Sequence, residues 1–154
     1  MDDDVRELYQ EVILDHGKNP RNFRQLEDAN CEAQGNNPLC GDRLTVYLKV
    51  DEDRLICDAA FEGRGCAISM ASASMMTQIV SGKTVSQVQY LFDKFHKLCT
   101  GEIEEFPQDE FADDVDKLRV MSGVRQFPMR VKCATLGWHT MNAAVSGDSE
   151  TTTE

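Results

Sequence analysis

The chain has 154 residues, of which 41% are hydrophobic, and it carries a formal net charge of -11. This length and composition fit one globular domain whose core needs no disulfide bonds. The negative charge argues against nucleic acid as a partner, because binding phosphates requires a basic surface. It also argues against an acidic membrane surface, and no apolar run approaches the roughly 20 residues that span a bilayer.

The N-terminal sequence and the cysteines indicate a compartment. The run Met1-Asp2-Asp3-Asp4 has neither the positive charge nor the apolar stretch of a secretory signal, so we expect a reducing cytoplasm. In that compartment cysteines serve as metal ligands, nucleophiles or core thiols rather than as disulfide partners. The chain has six of them: Cys31, Cys40, Cys57, Cys66, Cys99 and Cys133.

The first predicted element is a helix. Apolar residues recur at helical spacing over residues 5–16, and Gly17 is expected to end this helix. A short strand near residues 25–33 is a weaker prediction, because its alternation is poor.

A hairpin is predicted next. Residues 44–50 and 54–61 alternate apolar with less apolar side chains, and a short acidic turn joins them. We expect these two strands to pair antiparallel. Cys57 alternates with apolar neighbours in the second strand, so it is predicted to be a core thiol.

Helices dominate the rest of the chain. One is predicted to start at residue 66 or 67 and to end near residue 80, before a Ser-Gly pair. Thr84 is the expected cap of a second helix. Pro128 is suited to begin a last helix that runs to about residue 145.

Acidic residues mark an insertion and a tail. Residues 102–116 contain eight acids and no base, which is typical of a solvated segment. The predicted organisation is one domain over residues 1–145, with an acidic insertion at about 100–120. Residues 146–154 are short, polar and acidic, and we expect them to be a disordered tail.

Two cysteines occur at the ends of the predicted hairpin. Cys40 and Asp42 lie just before its first strand, and Cys66 lies just after its second. Antiparallel pairing brings these two ends together. Thiolates select zinc or iron–sulfur chemistry over magnesium or calcium. Cys133 is a further candidate sulfur, but its position relative to the others does not follow from spacing, so a shared metal site and separate core thiols both remain open.

Longer motifs surround these residues and resemble a known family. The chain is similar, from Leu8 to about Trp138, to the NifU/IscU-like iron–sulfur cluster assembly family, which includes a SufU-type branch. The motifs that carry the resemblance are Asp15-His16-Gly17-Lys18-Asn19-Pro20-Arg21-Asn22, Asn37-Pro38-Leu39-Cys40-Gly41-Asp42, Gly63-Arg64-Gly65-Cys66-Ala67-Ile68-Ser69 and Arg130-Val131-Lys132-Cys133-Ala134.

The resemblance implies a fold, a metal site and a partner. The fold is α+β, with a small antiparallel three-stranded sheet and helices packed on one face. Cys40, Asp42, Cys66 and Cys133 are implied to converge on one ion, with Arg130 near them. The implied partner is a cysteine desulfurase.

Two departures favour the SufU-type branch of the family. Lys132 occupies the position where the scaffold branch carries a histidine, and the acidic insertion lengthens the stretch before Cys133. That branch is associated with bound zinc and with sulfur transfer from a SufS-type desulfurase. The resemblance therefore implies a zinc-dependent sulfurtransferase that accepts persulfide sulfur on Cys40 and passes it on, with a downstream cluster scaffold as a possible recipient.

Three other functions are compatible with some of these features. A scaffold that assembles a [2Fe–2S] cluster is the first, although Lys132 replaces one of its ligands. A zinc hydrolase or deaminase is the second, but the chain has no H-x-E or H-E-x-x-H motif. The third is a structural zinc module, which would unfold without its metal.

Overall fold

The computed structural model describes residues 3–106 and 109–153, and for residues 3–9 it describes the backbone. The apolar pattern predicted over residues 5–16 therefore lies partly outside the described side chains, at residues 5–9. A 3₁₀ helix, Arg119–Gln126, precedes the last long helix. The other elements are α1 Asp3–Lys18, β1 Cys31–Asn37, β2 Asp42–Val50, β3 Ile56–Arg64, α2 Ala67–Val80, α3 Val85–Thr100, α4 Ala112–Leu118, α5 Pro128–Val145 and β4 Glu150–Thr152.

The predicted helices are present. The first continues one residue beyond Gly17, and α2 spans the range predicted for it. Thr84 caps α3 through a capping box, in which its hydroxyl accepts from Gln87 N–H and the Gln87 side chain accepts from Thr84 N–H. Within the described residues, no helix is both long enough and apolar enough to cross a bilayer.

The sheet has four strands rather than the expected three. Their order is β3-β2-β1-β4, and the first three pair antiparallel as the resemblance implies. The weak strand predicted near residues 25–33 is displaced, because β1 begins only at Cys31. Its residues alternate between buried and exposed faces although most of them are polar, which explains why the apolar pattern was poor.

The fourth strand corrects the prediction of a disordered tail. Glu150–Thr152 pairs parallel with β1, and backbone bonds such as Gln34 N–H to Ser149 O, at 2.9 Å, hold it there. An exposed strand edge offers unpaired backbone groups that a polar segment can satisfy without burying apolar side chains. Composition therefore gave no signal for this strand. Residue 154 lies outside the described residues.

Strand β3 differs from its prediction at both ends. It runs on to Arg64, because Gly63 adopts a φ of 140° and a Cβ there would lie 2.1 Å from the Arg43 carbonyl oxygen. A bulge opposite Lys49 and Val50 shifts the register of the strand. Cys57 is the additional residue at this bulge, so its thiol is exposed and the prediction of a core thiol was wrong.

Helix α5 is the central element of the fold. It packs on β1 and β2, while α2 packs beside it and against β3. Residues from Cys133 to Trp138 are all buried, and the Trp138 ring contacts Phe95 of α3 with centroids 5.5 Å apart. The helices lie against the apolar face of the antiparallel strands, as expected. This arrangement directs the start of α5 toward the ends of the hairpin.

The acidic segment contains a short helix. Part of it forms α4, and its residues 107 and 108 lie outside the described residues. Apolar side chains of the segment, Phe106, Phe111 and Val115, are buried in the core. The single-domain boundary at residue 145 and the extent of the insertion remain predictions.

Candidate metal centre

The connection between β1 and β2 carries two predicted ligands. Asn37 and Asp42 are register partners, so the four residues between them form a tight loop. Gly41 has a φ of 71°, which glycine adopts without steric conflict. The loop exposes the Cys40 thiol, while the Asp42 side chain points into the protein and is fully buried.

Three of the predicted ligands meet at this loop. Ligand atoms of Cys40, Asp42 and Cys133 all lie within 4.8 Å of one another. The two thiols are in direct contact, with Cys133 Sγ 3.5 Å from Cys40 Sγ. Cys133 reaches them from the second turn of α5, which Pro128 begins. The structure thus brings together residues separated by about ninety positions. Their spacing in the sequence could not predict this contact.

Cys66 lies beside this group at the start of α2. It is the N-cap residue, and its Sγ accepts from the Ser69 backbone N–H at 3.5 Å. Its own backbone N–H donates to Asp42 Oδ1 at 2.9 Å, because pairing of Arg43 with Arg64 draws the two strand ends together. Both predicted strand ends are therefore neighbours, as antiparallel pairing requires.

The Asp42 carboxylate is held by three donors. Oδ1 accepts from Cys66 N–H, while Oδ2 accepts from Ser69 Oγ at 2.8 Å and from Asn37 Nδ2 at 3.1 Å. Asn37 and Ser69 are both fully buried. Gly65 is needed beside them, because a Cβ at that position would lie 2.6 Å from Asp42 Oδ1. These three hydrogen bonds fix the carboxylate in one orientation.

Neighbouring thiols change one another's acidity. A hydrogen bond from the Cys133 thiol, and then the Ser69 backbone N–H, lowers the pKa of Cys66 to about 6, against the opposing effect of burial. The pKa of Cys133 is raised by its interaction with the Cys66 sulfur and by burial of the thiol. Of these two thiols, Cys66 is therefore the one that ionises first.

An open cavity of about 700 Å³ gives access to the sulfurs. Its lining includes Cys40, Cys66, Cys133 and Arg130. The Arg130 guanidinium lies over the Phe127 ring, 4.8 Å from the centroid, and both residues are at the start of α5. Among the described residues, the lining contains no carboxylate. A reacting group of another molecule can approach the thiols here beside a positive charge.

Comparison with known proteins identifies the family. The family pattern of the NifU-like N terminal domain matches residues 8–134, which is most of the chain. The chain belongs to the NifU/IscU-like iron–sulfur cluster assembly family. All four residues of the expected ligand set lie within the matched range.

Two relatives in this NifU/IscU-like family carry different functional names. The chain is 43% identical to the zinc-dependent sulfurtransferase SufU of Bacillus subtilis, over 90% of each chain. It is 39% identical to the iron–sulfur cluster assembly scaffold protein IscU of Streptococcus pyogenes, over 92% of this chain and 84% of that one. The two relatives therefore share the family but not the functional name, and the choice between the two activities depends on the site.

A solved structure supports the α+β fold. The N-terminal NifU-like protein of Brucella abortus superposes with a TM-score of 0.80 over 92% of this chain and 94% of that one. The identity is 23%, so this likeness concerns the fold.

The donor set of this NifU/IscU-like chain suits zinc. A Zn–S bond of about 2.3 Å in a tetrahedron places sulfurs about 3.8 Å apart, and the Cys40 and Cys133 sulfurs are 3.5 Å apart. Two thiols and one carboxylate are also the soft-dominated donors that zinc accepts. Among the described residues, Cys66 is outside this group of three, but it lines the same cavity as Cys40 and Cys133.

Sequence reasoning missed two residues of the centre. Asn37 bonds both Asp42 and Cys133 Sγ, the latter at 3.6 Å, and Ser69 joins Asp42 to the Cys133 carbonyl oxygen at 3.3 Å. Each belongs to a motif that carried the family resemblance. Nothing in residue type or spacing indicated that either side chain would be buried against a carboxylate.

Proposed function

We propose that this chain is a zinc-dependent sulfurtransferase that accepts persulfide sulfur from a SufS-type cysteine desulfurase for iron–sulfur cluster assembly. The observation that carries the proposal is an exposed Cys40 thiol 3.5 Å from Cys133 Sγ, beside a carboxylate that the protein holds in place. The 43% identity to a zinc-dependent sulfurtransferase supports it.

Cys40, Asp42, Cys66 and Cys133 are the residues that would hold zinc. When bound, zinc would keep the three sulfurs as thiolates, since only the deprotonated form is a ligand. The donors on Asp42 already fix its carboxylate, so little ordering is left for binding to supply.

Cys40 is the proposed sulfur acceptor. Its thiolate attacks the terminal sulfur of the donor persulfide, a bond forms between Cys40 Sγ and that sulfur, and the donor's sulfur–sulfur bond breaks. The donor cysteine leaves as a thiolate, so the exchange consumes no oxidant or reductant. Cys133 is buried and Cys66 is tied at its backbone to Asp42, whereas Cys40 projects from a loop.

Arg130 is proposed to assist this exchange. Its guanidinium lies in the cavity that the three thiols share, and a positive charge there stabilises the thiolates on either side of the exchange. The Phe127 ring beneath it favours that position through a cation–π contact.

The reaction needs free thiols, so we propose the cytoplasm as the compartment and a cluster scaffold as the downstream recipient.

The test compares two exposed thiols. Cys40→Ala is expected to abolish both the persulfide on this chain, seen by mass spectrometry, and the stimulation of desulfurase turnover. Cys57→Ala is the control, because Cys57 is also exposed but belongs to the β3 bulge. Full stimulation by the folded Cys40→Ala variant would refute the assignment.

The alternative is a scaffold for a [2Fe–2S] cluster. It is favoured by the 39% identity to a scaffold protein of that name. Lys132 counts against it, because its ammonium cannot ligate iron in place of a histidine. Anaerobic reconstitution that yields a visible spectrum stable to desalting would support the scaffold, and metal analysis of protein purified without added metal would separate zinc from iron.

A further inference from the structure

Basic side chains around the cysteines lack ionic partners. Six cations elsewhere, among them Arg21, Lys83 and Arg119, form ion pairs. Within the described residues, nine others form none, and five of these nine lie around the cysteines; we call these five the cationic rim: Arg43, Arg64, Arg125, Arg130 and Lys132. This is unexpected in a chain with 27 acids and a net charge of -11.

The rim surrounds the cysteine cavity. Arg43 follows Asp42, and Arg64 lies two residues before Cys66. Both line a groove of about 900 Å³ on the exposed face of the sheet. On the other side, Arg125 and Lys132 line a cavity of about 460 Å³ that shares Pro128 with the cysteine cavity.

Two members of the rim are held against each other. Arg43 and Arg64 are direct partners in the β2–β3 register, so their Cβ atoms lie about 5 Å apart on one face. Like charges in this position destabilise a sheet. At the other end of β2, Lys49 is opposite Asp58, which is the favourable arrangement. The unfavourable pair thus occurs beside the cysteines.

Apolar side chains are exposed inside the rim. Leu39, Phe127 and Met129 are 58%, 48% and 56% exposed, and they make up half of the exposed large hydrophobic residues in the described part of the chain. Leu39 precedes Cys40, and the other two line the cysteine cavity. An apolar centre with a charged border is the usual organisation of a protein interface.

We propose that the sulfur donor docks on this surface through an apolar centre bordered by acidic side chains, which pair with the cationic rim. The proposal rests on the sulfur-accepting function above, and it adds the charge of the partner. The acidic segment is the competing surface, and it would take a basic partner. Some of its acids are already used within the chain, as in Asp114 to Lys83 at 2.8 Å and Asp109 to Tyr90 Oη at 2.7 Å.

The experiment measures association of the zinc-loaded chain with the purified cysteine desulfurase of the same organism. The test variant is Arg43→Glu with Arg64→Glu, and the control is Lys49→Glu, on the same strand and face but about 20 Å from Arg43. We expect association of the test variant to slow about tenfold at low salt, with the difference shrinking at high salt. The control is expected to change less than about twofold.

Kinetics separate docking from chemistry. In the test variant KM for sulfur transfer should rise while kcat is unchanged, since neither arginine touches the sulfurs. Unchanged or faster association would overturn the proposal, as would slower association on replacing Glu104, Glu105 and Glu110 by Gln. If the parent chain accepts no sulfur, the proposed function fails, while the binding data still decide the charge of the partner.

Folding is controlled in two ways. Melting temperatures of all variants show whether loss of binding reflects unfolding. Arg43→Gln with Arg64→Gln removes the charges without reversing them, and it should give about half of the effect of reversal on the logarithm of the association rate. An unchanged rate in this folded variant would also overturn the proposal.

Discussion

Carboxylates occur in two contrasting settings in this protein. Asp42 is fully buried and accepts three hydrogen bonds, one from the end of β1 and two from the start of α2. The acidic segment has eight carboxylates, and seven of them are exposed. The eighth, Asp114, is half-buried and pairs with Lys83. One region concentrates its interactions on a single charge, and the other spreads many charges over the surface.

The difference shows that burial and partners, rather than number, give a charge its energetic weight. An exposed pair contributes about 0–1 kcal/mol because water and salt screen it. A buried carboxylate with several donors is worth more, because removing it leaves those donors without acceptors. Although the acidic segment holds eight carboxylates, the single buried Asp42 is the one that organises the site.

Substitution of the buried Asp42 is expected to change stability most. Asp42→Ala leaves Cys66 N–H, Ser69 Oγ and Asn37 Nδ2 without their acceptor. We expect the free energy of unfolding of the metal-free chain to fall by about 3 kcal/mol, measured by urea denaturation. Glu110→Ala, in the acidic segment, should change it by less than about 0.5 kcal/mol. Equal effects of the two substitutions would show that burial and hydrogen-bond partners do not decide how much a carboxylate contributes to stability.

A smaller effect concerns the donors to Asp42. Ser69→Ala removes the 2.8 Å bond to Oδ2, and we expect zinc affinity to fall by about 10- to 100-fold, measured by competition with a chromophoric chelator. Ser72→Ala is the matched control, since Ser72 is equally buried in α2 but donates to the Ala134 carbonyl oxygen. If both variants lose affinity equally, the effect comes from α2 packing and the orienting role of Ser69 is wrong.

The sequence predicted the elements whose signals are local. The helices, the Thr84 cap and the β2–β3 pairing follow from periodicity and capping chemistry. Neighbouring hairpin ends also follow from pairing alone, so Cys40 and Cys66 could be placed together before the fold was known. The family resemblance, rather than spacing, added Cys133 to them.

Features that depend on distant contacts could not be predicted. Strand β4 forms because β1 has a free edge, and no property of Glu150–Thr152 shows this. Cys57 is exposed because a bulge shifts the register, which an alternating pattern cannot reveal. Burial of Asn37 and Ser69 against Asp42 depends on how α2 and β1 meet.

The partly buried His139 makes the stability of the protein depend on pH. His139 is partly buried between Phe92 and His96, and burial, then the charge of His96, lowers its pKa to about 4. Below pH 6.5 His139 therefore binds a proton in the unfolded chain but not in the folded chain. The contribution of His139 to the free energy of unfolding is full above pH 6.5 and declines toward about pH 4. We expect the melting temperature to drop by several degrees over this window.

Two variants assign that loss. His139→Gln should flatten the decline, because it removes the group that titrates differently in the two states. Replacing Glu104, Glu105 and Glu110 by Gln should leave the decline in place, because all three side chains are exposed and make no contact with His139. A decline that persists in His139→Gln and vanishes in the triple variant would mean that the many exposed acids, rather than the partly buried His139, cause the loss of stability in acid.

The smallest expected effect comes from the surface pair in the rim. Arg43→Glu turns a like-charged pair with Arg64 into an opposite pair, and we expect a gain of about 0.3 kcal/mol in the free energy of unfolding. Lys49→Glu does the reverse opposite Asp58 and should lose a similar amount. Differential scanning calorimetry at low salt can resolve the two shifts. A variant that is more stable yet docks more slowly would show that Arg43 serves the partner and not the fold, whereas a loss of stability would mean that the two arginines support the sheet.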